Sequence, residues 1–114
     1  MLAVIFELEP VASSKRQYLD IAANLGRELQ AIDGFISIER FESLSQPGKL
    51  LSLSFWRDEA AISAWRNLAD HRAAQKAGRD HLFSDYRLRV AEVVRDYGMN
   101  DRVMAPDDSQ AVHG

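Results

Sequence analysis

The chain has no cysteine, which removes disulfides, zinc–thiolate sites and a thiol nucleophile together. It has no surplus of positive charge: 14 Lys and Arg stand against 17 Asp and Glu, a formal net charge of −3, so nothing holds nucleic-acid phosphates without regard to sequence. The apolar run at the amino end, Leu2 to Phe6, is too short for a membrane span or a signal-peptide core and meets Glu7 and Glu9 directly. Nucleic acid and membrane are therefore not expected partners, and the cytoplasm is the expected compartment. G-x-S-x-G, P-loop, G-x-G-x-x-G and H-E-x-x-H signatures are all missing. What remains is 114 residues, 46% hydrophobic and 27% charged, which is the composition of one ordinary globular domain burying roughly two-thirds of its unfolded surface.

Residues Leu2 to Leu8 are apolar on both parities until Glu7, which predicts a strand covered on both faces and central in its sheet. Ser14 with Gln17 three residues on reads as a capping box opening a helix of about five turns, whose stripe is Tyr18, Ile21, Ala22, Leu25, Leu29 and Ile32. Asp33 and Gly34 stop it. Phe35 to Leu44 and Leu50 to Trp56 read as two strands, joined through Pro47 and Gly48 at the centre of a type II turn and hence antiparallel. Asp58 is an expected N-cap for a second helix carrying Ala61, Ile62, Trp65 and Leu68; Asp70 looks like a fresh cap for a continuation that Gly78 ends, with a bend at Leu68 to Asp70. Tyr86 to Tyr97 reads as a long last strand, and residues 100–114 as a polar tail or arm.

The order β-α-β-β-α-β is the split βαβ of ferredoxin-like α+β domains: a four-stranded antiparallel sheet with two helices on one face. Strands one, two and four carry apolar residues on both parities, so the uncovered face predicts a homodimer packed sheet against sheet; the alternative is a tail folded back over that face.

Three histidines, at 71, 81 and 113, are not at helical metal-ligand spacing, so no metal site is expected. Asp70-His71 and Asp80-His81 are adjacent on a helix and point about 100° apart, so neither makes an acid–histidine contact by itself. His71 and Gln75, four apart, share a helix face and point to one cavity between helix and sheet. Trp65, Arg72, Trp56, Phe83 and Tyr86 are close in sequence and complete a candidate pocket, and Arg40 faces either that cavity or the sheet edge. Trp65 reads as a core anchor or a pocket wall. His71 reads as a solvent-facing first-turn residue or as a neutral base, because the helix dipole disfavours a cation at a helix start.

The stretch LLSLSFWRDEAAISAWRNLADHRAAQKAGR, with FSDYRLRVAEVVRDYG and GFISIERFES, resembles the antibiotic biosynthesis monooxygenase domain family over about residues 2–98. Its most specific part is W-x-D/S-x-x-A-x-x-A-W followed by H-R-x-A-Q. The resemblance implies a dimeric α/β barrel with a domain over 1–99 and a tail over 100–114. It implies a monooxygenase that oxidises a small aromatic, quinol or anthrone-like substrate with O₂ and no cofactor, with His71 as base and Trp65, Arg72 and Gln75 in the pocket. A non-catalytic dimeric protein for small-molecule binding or stress response is the alternative. Haem degradation, the third, is disfavoured because the residues corresponding to that branch's histidine and asparagine are Gln75 and Glu7.

Overall fold

Apolar residues on both parities need cover on both sides, and the computed structural model sets the first strand, β1 (Leu2–Pro10), inside the sheet. It pairs antiparallel with β3 (Leu50–Trp56) on one side and β4 (Phe83–Glu92) on the other, and β2 (Phe35–Glu42) completes the order β2-β3-β1-β4. This is the ferredoxin-like α+β sheet expected from the element order. The structure describes the backbone of residues 1–114 and the side chains of all but residues 69, 70, 78 and 80.

Helix α1 (Lys15–Leu29) buries Tyr18, Ala22 and Leu29, while Arg16 and Asp20 pair on its exposed side. The capping box is not made: Ser14 offers no side-chain hydrogen bond, because residues 12–14 form a 3-10 turn in which the Ser14 N–H donates to Val11 O. The helix is also shorter than the stripe suggested, since Ile32 sits beyond it in a turn held by Ala31 N–H to Glu28 O and Ile32 N–H to Leu29 O. Gly34 follows with φ of +93°, where a Cβ would stand 2.8 Å from the Cβ of Ala61. The β2–β3 hairpin turns as read, with Lys49 N–H donating to Gln46 O across Pro47 and Gly48, and Gly48 at φ +87°.

Asp58 caps α2 (Glu59–Arg66), its Oδ1 accepting from Ala61 N–H at 2.9 Å. The helix breaks at Asn67 and Leu68, and α3 (Ala69–Ala77) continues it. The bend thus falls at the leading edge of the expected one. Residue 70 lies within α3 instead of before it, and the cap read at Asp70, like the side chain of Asp80, lies outside the described residues. A single π-helical turn, Gly78–Leu82, then leads into β4.

That turn corrects the last strand. β4 starts at Phe83 and ends at Glu92, so Val93 to Tyr97 are not strand. The apolar parity of Tyr86, Leu88 and Val90 is kept, but of the apolar residues read on the other parity Val93 and Tyr97 fall outside the strand, so its outward face is not the apolar one expected. Tyr86, Leu88 and Val90 stand opposite Leu8, Phe6 and Val4 on the helix-facing side, and the outward side of β4 carries Arg87 and Arg89. The outward apolar surface belongs to the other strands: Ile5, Leu51, Leu53 and Phe55, half-buried, with the more exposed Phe41 beside Leu51. The carboxy-terminal segment is not all irregular, for it ends in α4 (Asp107–His113). Arg102 ties it together, donating to Gly98 O, Gly114 O and the Ser109 hydroxyl and lying over the Tyr97 ring.

The buried core divides in two. One cluster joins Val4, Leu29, Trp56, Ala61 and Ile62, and the other Leu8, Tyr18, Ala22 and Leu50. No helix among the described residues is long and apolar enough to cross a membrane.

Candidate active site

A cavity of about 400 Å³ lies between the helices and the sheet, walled by Val4 and Ile62 from the first cluster and by Tyr18 and Ala22 from the second. Its existence traces to β3. In LLSLSFW the helix-facing positions are Leu50, Ser52, Ser54 and Trp56, and both serines are buried in the floor, where larger side chains would fill the space. The mouth is at the β4 edge, since the wall residues Tyr86, Leu88 and Val90 are 40–52% exposed while Val4 opposite is buried.

Of the residues read from sequence, the structure brings Trp65, His71, Gln75, Phe83 and Tyr86 to this cavity, with Arg40. It does not bring Trp56 or Arg72. Trp56 is fully buried at the far end of β3, opposite Leu2, where its Nε1–H donates to the Ser54 hydroxyl at 2.9 Å and Trp65 stacks on it at 5.1 Å. It supports the wall from behind. Arg72 is one step round the helix from His71 and exposed, and its guanidinium donates to Asn67 Oδ1 at 2.6 Å and Gln75 Oε1 at 3.3 Å. It holds Gln75 from outside.

Trp65 is both things its spacing allowed, a partner of the Trp56 cluster and a cavity wall. Its ring lies 4.1 Å from that of His71. Two buried polar atoms here have no hydrogen-bond partner among the described residues, Trp65 Nε1 and His71 Nδ1. An indole N–H can only donate, and Nδ1 of a neutral imidazole accepts when the proton is on Nε2, so in that tautomer the pair offers one donor and one acceptor side by side. Burial pushes the His71 imidazole down to about 4, with Arg72 and Arg66 adding to the shift. The ring is neutral at pH 7 as the sequence suggested, but desolvation, not its place in the first turn of a helix, is the main cause.

Sequence reasoning missed Tyr18 as a pocket residue, because it lies on the buried stripe of α1 like any core aromatic. Burial raises its phenol, and the positive charge of Arg40 beside it opposes that shift. Arg66 and Arg79 also line the cavity, and Arg79 donates to the Tyr86 hydroxyl at 3.3 Å. Glu7 points to the opposite side of the sheet, ion-paired with Arg89 at 3.4 Å and Lys49 at 3.6 Å, so the position matched to the haem-degrading branch's asparagine offers nothing to the cavity. Among the described residues, no group of three or more His, Asp or Glu side chains is placed to hold a metal ion.

The antibiotic biosynthesis monooxygenase family matches residues 1–77. The chain is similar to the jasmonate monooxygenase ABM of Pyricularia oryzae, 50% identical over 101 residues that cover 89% of this chain and 47% of that protein. It spans about half the length of the curated relatives it matches. Its fold is similar to that of a putative antibiotic biosynthesis monooxygenase from Deinococcus radiodurans, with a TM-score of 0.76 at 19% identity over 86% of this chain and 97% of that one. It is also similar to a protein of Mycobacterium tuberculosis, with a TM-score of 0.76 at 18% identity over 85% and 98%.

Proposed function

Since the chain belongs to the antibiotic biosynthesis monooxygenase family, we propose that it is itself a monooxygenase, oxidising a small aromatic quinol or anthrone-like substrate with O₂ in the cavity beneath α3. The observation that carries this reading is the unpartnered pair Trp65 Nε1 and His71 Nδ1 on one wall of the cavity. Such substrates supply the electrons themselves, and the protein's share is to exclude water, take a proton and stabilise the oxyanion.

For an anthrone-like methylene the sequence of steps is as follows. His71 Nδ1 accepts the proton, and the delocalised carbanion passes one electron to O₂. The two radicals join as a carbon-bound peroxide, which takes back the proton and loses water to leave a carbonyl. One oxygen atom enters the product and the other leaves as water, so the four electrons lost by carbon are those gained by O₂. Trp65 Nε1–H donates to the developing anion. A base titrating at about 4 has little proton affinity of its own, so the nearby Arg66 has to lower the pKa of the bound substrate by stabilising its anion. The imidazolium that forms is correspondingly quick to return its proton.

A second reading, a dimeric protein that shelters such a metabolite without turning it over, draws on that same weak basicity. The two separate in an oxygen electrode with a panel of hydroquinones and anthrones. The enzyme consumes O₂ above autoxidation, and Trp65→Phe, which keeps an aromatic ring and deletes the donor, slows turnover by roughly ten- to a hundredfold. Tight binding with uptake no faster than autoxidation across the panel selects the second reading.

The assembly belongs to the same proposal. The outward apolar residues of β1, β2 and β3 pack on a second copy, sheet to sheet, which leaves each cavity on the outer, helical side of its own subunit.

A further inference from the structure

The chain carries a formal charge of −3, yet the cavity wall is charged the other way. Arg40, Arg66 and Arg79 line it, and no aspartate or glutamate does so among the described residues. None of the three has an ion pair among the described residues either, whereas Arg16, Arg57 and Arg89 on the outer surface each have a carboxylate within 3.4 Å. The three residues are themselves exposed, so their guanidiniums make the cavity's rim positive, and an anion brought into that space is favoured by their field.

One position is built to receive it. Arg40 faces Ser52 across the β2–β3 ladder and lies beside Tyr18, and both line the cavity. Tyr18 is buried and its hydroxyl carries a proton to donate, so an arginine fork and a hydroxyl donor stand side by side at the cavity wall. Tyr18 belongs to the second core cluster and Trp65 packs on the first, so this seat and the Trp65–His71 wall are at opposite ends of the cavity.

We propose that the ligand of this cavity is an organic acid, its carboxylate seated on Arg40 and the Tyr18 hydroxyl and its apolar body lying across the Ser52–Ser54 floor toward Trp65 and His71. Arg66 and Arg79 hold no part of the seat; they keep the enclosure positive. The proposal rests on the oxidation reading only for what happens at the Trp65–His71 end.

Equilibrium binding tests it without reading turnover. Calorimetry at neutral pH compares naphthoate with naphthamide, which have the same rings and nearly the same shape but differ in charge. Naphthoate is expected to bind at least about tenfold more tightly. Arg40→Met brings the two to within about twofold of each other by weakening naphthoate alone, and Tyr18→Phe weakens naphthoate several-fold while sparing naphthamide. Tyr18→Phe keeps the packed ring, so it serves even if Arg40→Met does not fold. Equal affinities in the unsubstituted protein, a preference that survives both substitutions, or no binding of naphthoate overturns the proposal. An acid preference in a protein that consumes no oxygen leaves the carboxylate seat standing and removes the oxidation reading; oxidation of neutral and anionic substrates alike does the reverse.

Discussion

His71 keeps an imidazole where a cation is poorly tolerated, and that has a cost that depends on pH. Unfolded, the ring titrates near 6.5; folded, at about 4. Between those values the unfolded chain binds a proton that the folded chain does not, so stability is greatest above 6.5 and falls as the pH drops toward 4. At about 1.4 kcal/mol per unit, and discounted for partial exposure, His71 accounts for roughly 2 kcal/mol of that loss. Urea denaturation across this window should show the slope in the unsubstituted protein and a shallower one in His71→Gln. Identical slopes would show that the ring titrates as it does in water.

At the scale of elements, patterning told the order and the partners of the strands, because period-two and period-3.6 alternation survive folding. The β2–β3 turn was equally legible, since Pro47 and Gly48 have few other uses between two apolar runs. What was not legible depends on details of chain path. Ser14 and Gln17 have the right spacing for a capping box, but the 3-10 turn ahead of them turns the serine away from that role. The π turn at 78–82 shifts the start of β4 to Phe83, which no propensity marks. In the candidate site, helical spacing brought His71 and Gln75 together correctly, while Arg72, their neighbour in sequence, falls outside by one step of rotation. Tyr18 and the two floor serines were missed because a buried tyrosine and an alternating serine look alike whether they fill space or border it. The α1–β2 turn offers a test of its own. Gly34→Ala forces an alanine to positive φ and drives its Cβ into Ala61, so a loss of about 1–3 kcal/mol is expected in chemical denaturation. An unchanged midpoint would mean that the turn relaxes freely and that α2 does not press on it.

The whole molecule measures 51 × 35 × 19 Å with a radius of gyration of 16.5 Å, against about 13 Å for a compact globule of this length. A single chain of this shape leaves surface for a partner. Ile5, Leu51, Leu53, Phe55 and Phe41 form the apolar part of the outward sheet face, and Glu7, Lys49 and Arg89 its charged part. Sedimentation should give a dimer, and Leu53→Lys, which sets a charge in the middle of the apolar area, should shift it to monomer with the helical side intact. A monomer before substitution would leave that face without its proposed cover. Oxidation inside the cavity is tested most directly by running turnover of an anthrone-like substrate under ¹⁸O₂ and weighing the product. One labelled oxygen atom per product, formed faster than in buffer and lost with Trp65→Phe, is the predicted result; a product that forms no faster than in buffer, or that takes its oxygen from water, contradicts it.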